Sequence, residues 1–284
     1  MKRFIWQNEG WLAMPDMTPE IGQALEKLES LKRRIFEYKK YPWFEDVQQE
    51  AFLNELFYSW EIEDLHLGLT DEKVHLAFTG QQDSFAGRCL GFVRSSGILT
   101  PDAIVRMHND IFPRLEKGIR KCCVGVGSSE EHLVYLAPPA EEVPKLLEEL
   151  CNIICDESTD IHLRAAFSHI VIAIIHPFSD GNGRAARLIA MKILSDIFID
   201  ISKFIYLRRS RYYEELQKIS ICMNINSCLY YLIMVYCEAC YEMLRNLYNF
   251  EKYLMIHNTD FTNFDDMKTK ISWDDDNTTQ YAWF

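Results

Sequence analysis

One run constrains this chain more than any other segment: His176-Pro177-Phe178-Ser179-Asp180-Gly181-Asn182-Gly183-Arg184-Ala185-Ala186-Arg187. Apolar stretches at 165–175 and 188–198 flank it, so it reads as helix, tight loop, helix. Glycine reaches φ > 0 and lets a ligand approach the backbone closely. Gly181-Asn182-Gly183 stands where the second helix begins. The N–H groups and dipole of a helix start favour an anion, and such a nest suits phosphate oxygens. Gly-Asn-Gly is also an ordinary turn, so its neighbours decide.

Arg184 and Arg187 are three apart and share a helix face beside the cradle. Guanidinium forks match phosphate oxygens in bidentate geometry. Asp180 would repel a phosphate unless a cation lies between them, and Mg²⁺ bridging carboxylate and phosphate resolves the conflict. A neutral His176 could accept a proton from an attacking hydroxyl. Phe178 is expected to turn inward and pin the loop. Taken singly, each has a plainer reading: solvated arginines, a turn aspartate, a core histidine.

Taken whole, the run resembles the Fic signature His-x-Phe-x-(Asp/Glu)-Gly-Asn-Gly-Arg-x-x-Arg, and every fixed position is met. The resemblance implies an all-α core that transfers AMP from ATP to a protein hydroxyl (Ser, Thr or Tyr), releasing pyrophosphate. It implies His176 as catalytic base and Asp180 as the Mg²⁺ ligand. Gly181, Asn182 and Gly183 would form the anion hole, and Arg184 and Arg187 would grip the phosphates, Arg187 nearest the γ-phosphate. A kinase relative has a degenerate loop, whereas the loop here is intact.

The resemblance extends outwards. Thr100-Pro101 reads as an N-cap with proline at the first helical position, ahead of a helix over 103–112. Gly118-Ile119-Arg120 follows. Val124-Gly125-Val126-Gly127 and Val134-Tyr135-Leu136 suggest a small hairpin within 122–136. In the family this hairpin is a flap whose edge takes an extended target segment as an added strand. An amphipathic helix is expected over 141–154. Tyr213, in Arg209-Ser210-Arg211-Tyr212-Tyr213, resembles an aromatic near the nucleotide base, able to stack on adenine or to sit in the core. Asn226-Ser227-Cys228-Leu229 departs from the Thr-Pro-Trp-Leu of many relatives.

Upstream, Ile5-Trp6-Gln7, Trp11 and a long helical region over 18–41 resemble a domain that precedes many bacterial Fic cores. Ser59-Trp60-Glu61-Ile62-Glu63-Asp64 resembles the inhibitory motif (Ser/Thr)-x-x-x-Glu-(Gly/Asn), with Asp64 as the departure. Ser59 and Glu63 are four apart, on one face of a helix. In the family this glutamate pairs with the second loop arginine, here Arg187, and takes space that the γ-phosphate needs.

These readings predict an all-α fold with one hairpin. The expected domains are a helical regulatory domain (1–90), a catalytic core (91–252) and an acidic tail (253–284). The formal net charge of −12 disfavours a general nucleic-acid-binding role. No apolar stretch is long enough for a bilayer and the start lacks a signal peptide, so a cytoplasmic location is expected. The odd count of nine cysteines argues for free thiols, expected buried at Cys151 and Cys155. Cys237-Glu238-Ala239-Cys240 has CxxC spacing without a second metal-type pair. Another nucleotide donor, AMP removal, and a non-catalytic ATP-sensing module are alternatives that the sequence leaves open. It leaves self-association open as well.

Overall fold

The computed structural model describes residues 5–65, 84–127, 133–222 and 224–257. Among them the chain is helical apart from one two-stranded antiparallel hairpin. Helix α1 (Pro19–Phe36) begins as its sequence dictates, with the Thr18 hydroxyl accepting from Ile21 N–H at 3.3 Å and proline in the first turn. A short 3₁₀ turn, Glu37–Lys40, completes the predicted 18–41 region. Then come α2 (Phe44–Glu61), α3 (Phe85–Arg94) and α4 (Pro101–Ile111). Thr100 caps α4 through Ala103 N–H at 3.2 Å, as the Thr-Pro pair predicts.

Strands β1 (Gly125–Gly127) and β2 (Leu133–Leu136) pair in the register Gly125 with Leu136 and Val126 with Tyr135, with an irregularity at Val126/Gly127. Helices α5 (Val143–Ile154), α6 (Ile161–Ile175) and α7 (Asn182–Ile193) follow. The chain closes with α8 (Ile201–Leu207), α9 (Arg209–Cys222) and α10 (Asn226–His257). The last residues of the expected tail, 258–284, lie outside the described residues, as do residues 66–83 of the expected regulatory domain.

Helix α6 is apolar nearly all round, and it is accordingly central, packed on α5, α7 and α10. Helix α1 lies along α10, and α2 lies against α8. One continuous apolar cluster runs from Ile5 to Phe250 and joins the first helices to the last. The departure at 226–229 is absorbed locally: Cys228 and Leu229 are fully buried, and the Ser227 hydroxyl donates to Glu215 at 2.6 Å. Cys151, Cys237 and Cys240 are buried free thiols. Cys155 is exposed, contrary to expectation, because it follows the last residue of α5 rather than facing the core.

The placement of α2 matters most for the site. Its buried face carries Gln48, Phe52, Glu55 and Ser59, spaced to recur on one side. Gln48 accepts from Phe198 N–H at 2.6 Å and donates to Phe198 O at 3.4 Å. Glu55 accepts from Ser202 N–H at 2.7 Å and from the Ser202 hydroxyl at 2.6 Å. These polar groups key α2 onto the connection into α8. Gln48→Ala would remove both side-chain bonds to the Phe198 backbone. It should lower the unfolding free energy by about 1–3 kcal/mol in a denaturant titration.

Candidate active site

His176 ends α6 in the left-handed region, at φ 52°. A non-glycine residue there must be held by its surroundings. Its Nδ1 lies 3.3 Å from Ala173 O. A carbonyl can only accept, so Nδ1 carries the proton and Nε2 keeps a free lone pair. Burial holds the imidazole below its ordinary pKa, and the Arg120 charge adds to this; the Ala173 bond, Glu63 and Asp180 oppose it. Burial and the Arg120 charge both favour the neutral ring.

The loop is closed from inside. Phe178 turns inward, fully buried, and stacks on His108 with centroids 3.7 Å apart. His108 Nε2–H donates to Asp180 O at 2.9 Å. The Asn182 amide accepts from Phe178 N–H and donates to Phe178 O, both at 2.9 Å. Its side chain is thus spent on loop closure, and only its backbone faces the cradle. Gly181 has φ 82°, and a Cβ there would press on Leu115 and His108 at 3.2 and 3.3 Å. Helix α7 starts at Asn182 without a side-chain cap, which leaves its first N–H groups open to an anion.

Asp180 is mostly exposed and accepts from Gly181 N–H at 2.5 Å. Arg184 reaches it at 3.4 Å and lies over the rings of Phe112 and Trp60, 4.9 and 5.5 Å from their centroids. Arg187 is 2% exposed. Its Nε donates to the Ser59 hydroxyl at 2.7 Å, and Nη2 donates to Ser59 O at 2.7 Å and to Glu63 Oε1 at 2.8 Å. Nη1 is buried with no partner. A Cβ on Gly183 would collide with Glu63 Oε1. The carboxylate therefore occupies the glycine cradle itself.

Glu63 lies two residues beyond the regular part of α2, which stops at Glu61. Asp64 follows at φ 54°, the helix-terminating position that glycine or asparagine fills most easily. Here an ion pair holds it: Arg209 Nη1 meets Asp64 Oδ1 at 2.5 Å and also reaches Ile62 O at 3.5 Å. The Tyr213 hydroxyl donates to the same Ile62 O at 3.3 Å. In this conformation Tyr213 is thus a half-exposed prop under the turn; its neighbour Tyr212 is the core residue. Helix α9 holds shut the end of α2.

The structure thus brings Ser59, Glu63, His176, Asp180 and the 181–187 residues to one place. Val124, Gly125, Val126 and Gly127 form or adjoin β1. Sequence reasoning gave no role to His108, Arg120, Tyr135 or Arg209. Arg120 is the most engaged of these, spanning several backbone carbonyls.

Residues 98–194 match the Fic/DOC family. The Fic/DOC match contains the whole loop, from His176 to Arg187, but neither Glu63 nor Tyr213. Over 100 residues the chain is 42% identical to protein adenylyltransferase fic-1 of Caenorhabditis elegans, covering 33% of this chain and 18% of that protein. Over 79 residues it is 33% identical to a probable protein adenylyltransferase of Aquifex aeolicus, covering 28% and 23%. The chain therefore spans about a fifth of these curated relatives. A crystal structure of a Fic family protein from Desulfovibrio desulfuricans has the same fold: TM-score 0.68, 21% identity, covering 82% of this chain and 76% of that one.

Two measurements check this geometry. Asn182→Ala removes both bonds to Phe178 and should cost about 2–4 kcal/mol of stability in a denaturant titration. His169, buried against the Tyr212 hydroxyl at 2.9 Å, has its pKa pushed down to about 3 by burial and, second, by Arg187. A histidine neutral when folded and charged when unfolded gives full stability above about pH 6.5. That stability is lost as pH falls towards 3, by up to about 1.4 kcal/mol per pH unit. His169→Gln should flatten this acid limb of the stability curve.

Proposed function

We propose that this chain is a protein adenylyltransferase, held inactive by Glu63, that moves AMP from ATP to a hydroxyl side chain of a target protein. One observation carries this reading: Arg187, buried beside a glycine cradle, keeps one donor unpartnered and shares the other with a carboxylate lying in that cradle. A buried guanidinium demands an anion. Glu63 supplies one, and a nucleotide phosphate is the anion for which the cradle, Arg184 and the free Nη1 are suited. The names of the curated relatives support the same activity.

In this reading the 181–183 backbone, Arg184 and Arg187 bind and orient the triphosphate. The unpartnered Arg187 donor and the space that a Gly183 Cβ would fill both suit a phosphate. The exposed Asp180 carboxylate would hold Mg²⁺, which would supply charge neutralisation for the phosphates. His176 Nε2 takes the proton of the target hydroxyl as its oxygen bonds to the α-phosphorus. The bond from that phosphorus to the bridging oxygen breaks, and pyrophosphate leaves with the electron pair. Fixed donors around the phosphates supply most of the catalysis. The hairpin edge at 124–127 receives the target segment as an added strand. Tyr213 reaches the adenine only once the Ile62 turn has moved off it.

Glu63 acts by competition, one anion excluding another from Arg187 and the cradle. The test is intact-mass analysis after incubation with ATP and Mg²⁺. The expected outcome is an AMP adduct on Glu63→Gly, and none on wild type or on Glu63→Gly/His176→Ala. No adduct on Glu63→Gly, with ATP binding confirmed, would refute the transferase reading.

A further inference from the structure

Four consecutive carbonyls at and just past the end of α6 are taken by Tyr135 of the hairpin and by Arg120 ahead of it. Tyr135, on β2, donates its hydroxyl to Ile174 O at 2.7 Å. Arg120, just ahead of β1, donates Nη2 to Ile175 O at 3.3 Å and Nε to His176 O at 2.7 Å. Its backbone N–H donates to Pro177 O at 3.0 Å. The same guanidinium reaches Cys122 O at 2.7 Å on the way into β1 and Pro138 O at 2.5 Å on the way out of β2.

The last carbonyls of a helix have no partner within it, and a cation there matches the negative end of the dipole. One such bond would satisfy a helix end. Here a buried five-donor fork serves the helix end and both ends of the hairpin at once. It also grips the backbone of His176, whose left-handed conformation needs enforcement. Hairpin and base are tied into one unit.

We propose that Arg120 and Tyr135 are positioning residues that fix the His176 imidazole relative to the hairpin edge. The proposal rests on the transferase reading, in which that edge presents the hydroxyl and His176 takes its proton. The bonds run to backbone carbonyls of α6 and the hairpin, so the pair acts through His176. Loosening the brace should slow transfer and leave nucleotide binding, built on 181–187, unchanged.

The test places Arg120→Lys and Tyr135→Phe separately into the full chain carrying Glu63→Gly. Lysine keeps the charge but cannot span the carbonyls; phenylalanine removes one hydroxyl. The readouts are the first-order rate of AMP adduct formation on the chain itself at saturating Mg·ATP, ATP affinity by calorimetry, and the His176 Cε1 resonance. The rate should fall on the order of 100-fold for Arg120→Lys and about 10-fold for Tyr135→Phe, with ATP affinity within about threefold of the parent. The His176 resonance should broaden in both. Rates within about threefold of the parent in both variants would overturn the proposal. So would an equal loss of ATP affinity, which would assign the pair to the cradle. If Arg120→Lys does not fold, Tyr135→Phe decides. If the Glu63→Gly parent forms no adduct, the transferase reading fails on its own. The resonance then decides the brace, and an unchanged His176 signal in the variants overturns it.

Discussion

Arg187 is a buried cation, and the arrangement around it follows from that fact. A guanidinium nearly out of water must be met by hydrogen bonds and by negative charge. Ser59 and Glu63 meet both needs from α2. They can do so only because α2 is seated elsewhere: Gln48 and Glu55 key it to the segment entering α8, and Phe52 packs against Phe198 with ring centroids 5.0 Å apart. Helix α9 then props the far end through Arg209 and Tyr213. The glutamate is thus held by structure on both sides of it, and Arg187 retains one donor with nothing to bind.

A second group of contacts adjoins this one. The loop after α6 is closed internally by Phe178, His108 and Asn182, and its start is braced from the hairpin by Arg120 and Tyr135. The left-handed His176 sits where the two supports meet. Under the proposed function, the loop fixes where a base can stand, and the Glu63 turn decides whether an anion can enter the cradle. Regulation then needs only that turn to move. The turn at 62–64 is suited to that: it lies beyond the regular helix, and two α9 side chains anchor it from outside.

Much of the site was legible because its chemistry is local. Twelve successive residues carry the loop, and the cap at Thr100, the hairpin and the apolar flanks follow from short-range rules. Ser59 and Glu63 were legible through one short motif, although the helix that should align them ends at Glu61 and Glu63 reaches Arg187 from a turn. Long-range partners were not legible. Nothing near Arg120 signals that it will span α6 and the hairpin, and nothing near His108 foretells a stack on Phe178, 70 positions on in the sequence. Gln48 and Glu55 lie on the buried face of α2, where polarity hides the apolar period that marks a core helix. The Tyr213 hydroxyl bond to Ile62 O depends on how α9 meets α2, and no local pattern announces it. Asp64, a departure from the motif, meets Arg209 from across the fold.

The central claim is that Glu63 and a nucleotide phosphate compete for Arg187. A crystal structure of the Glu63→Gly chain with Mg·ATP tests it most directly. The account predicts a terminal phosphate oxygen within hydrogen-bonding distance of Arg187, in the space that the Glu63 carboxylate now fills. An occupied nucleotide whose phosphates lie elsewhere, with Arg187 still turned only to Ser59, would contradict it.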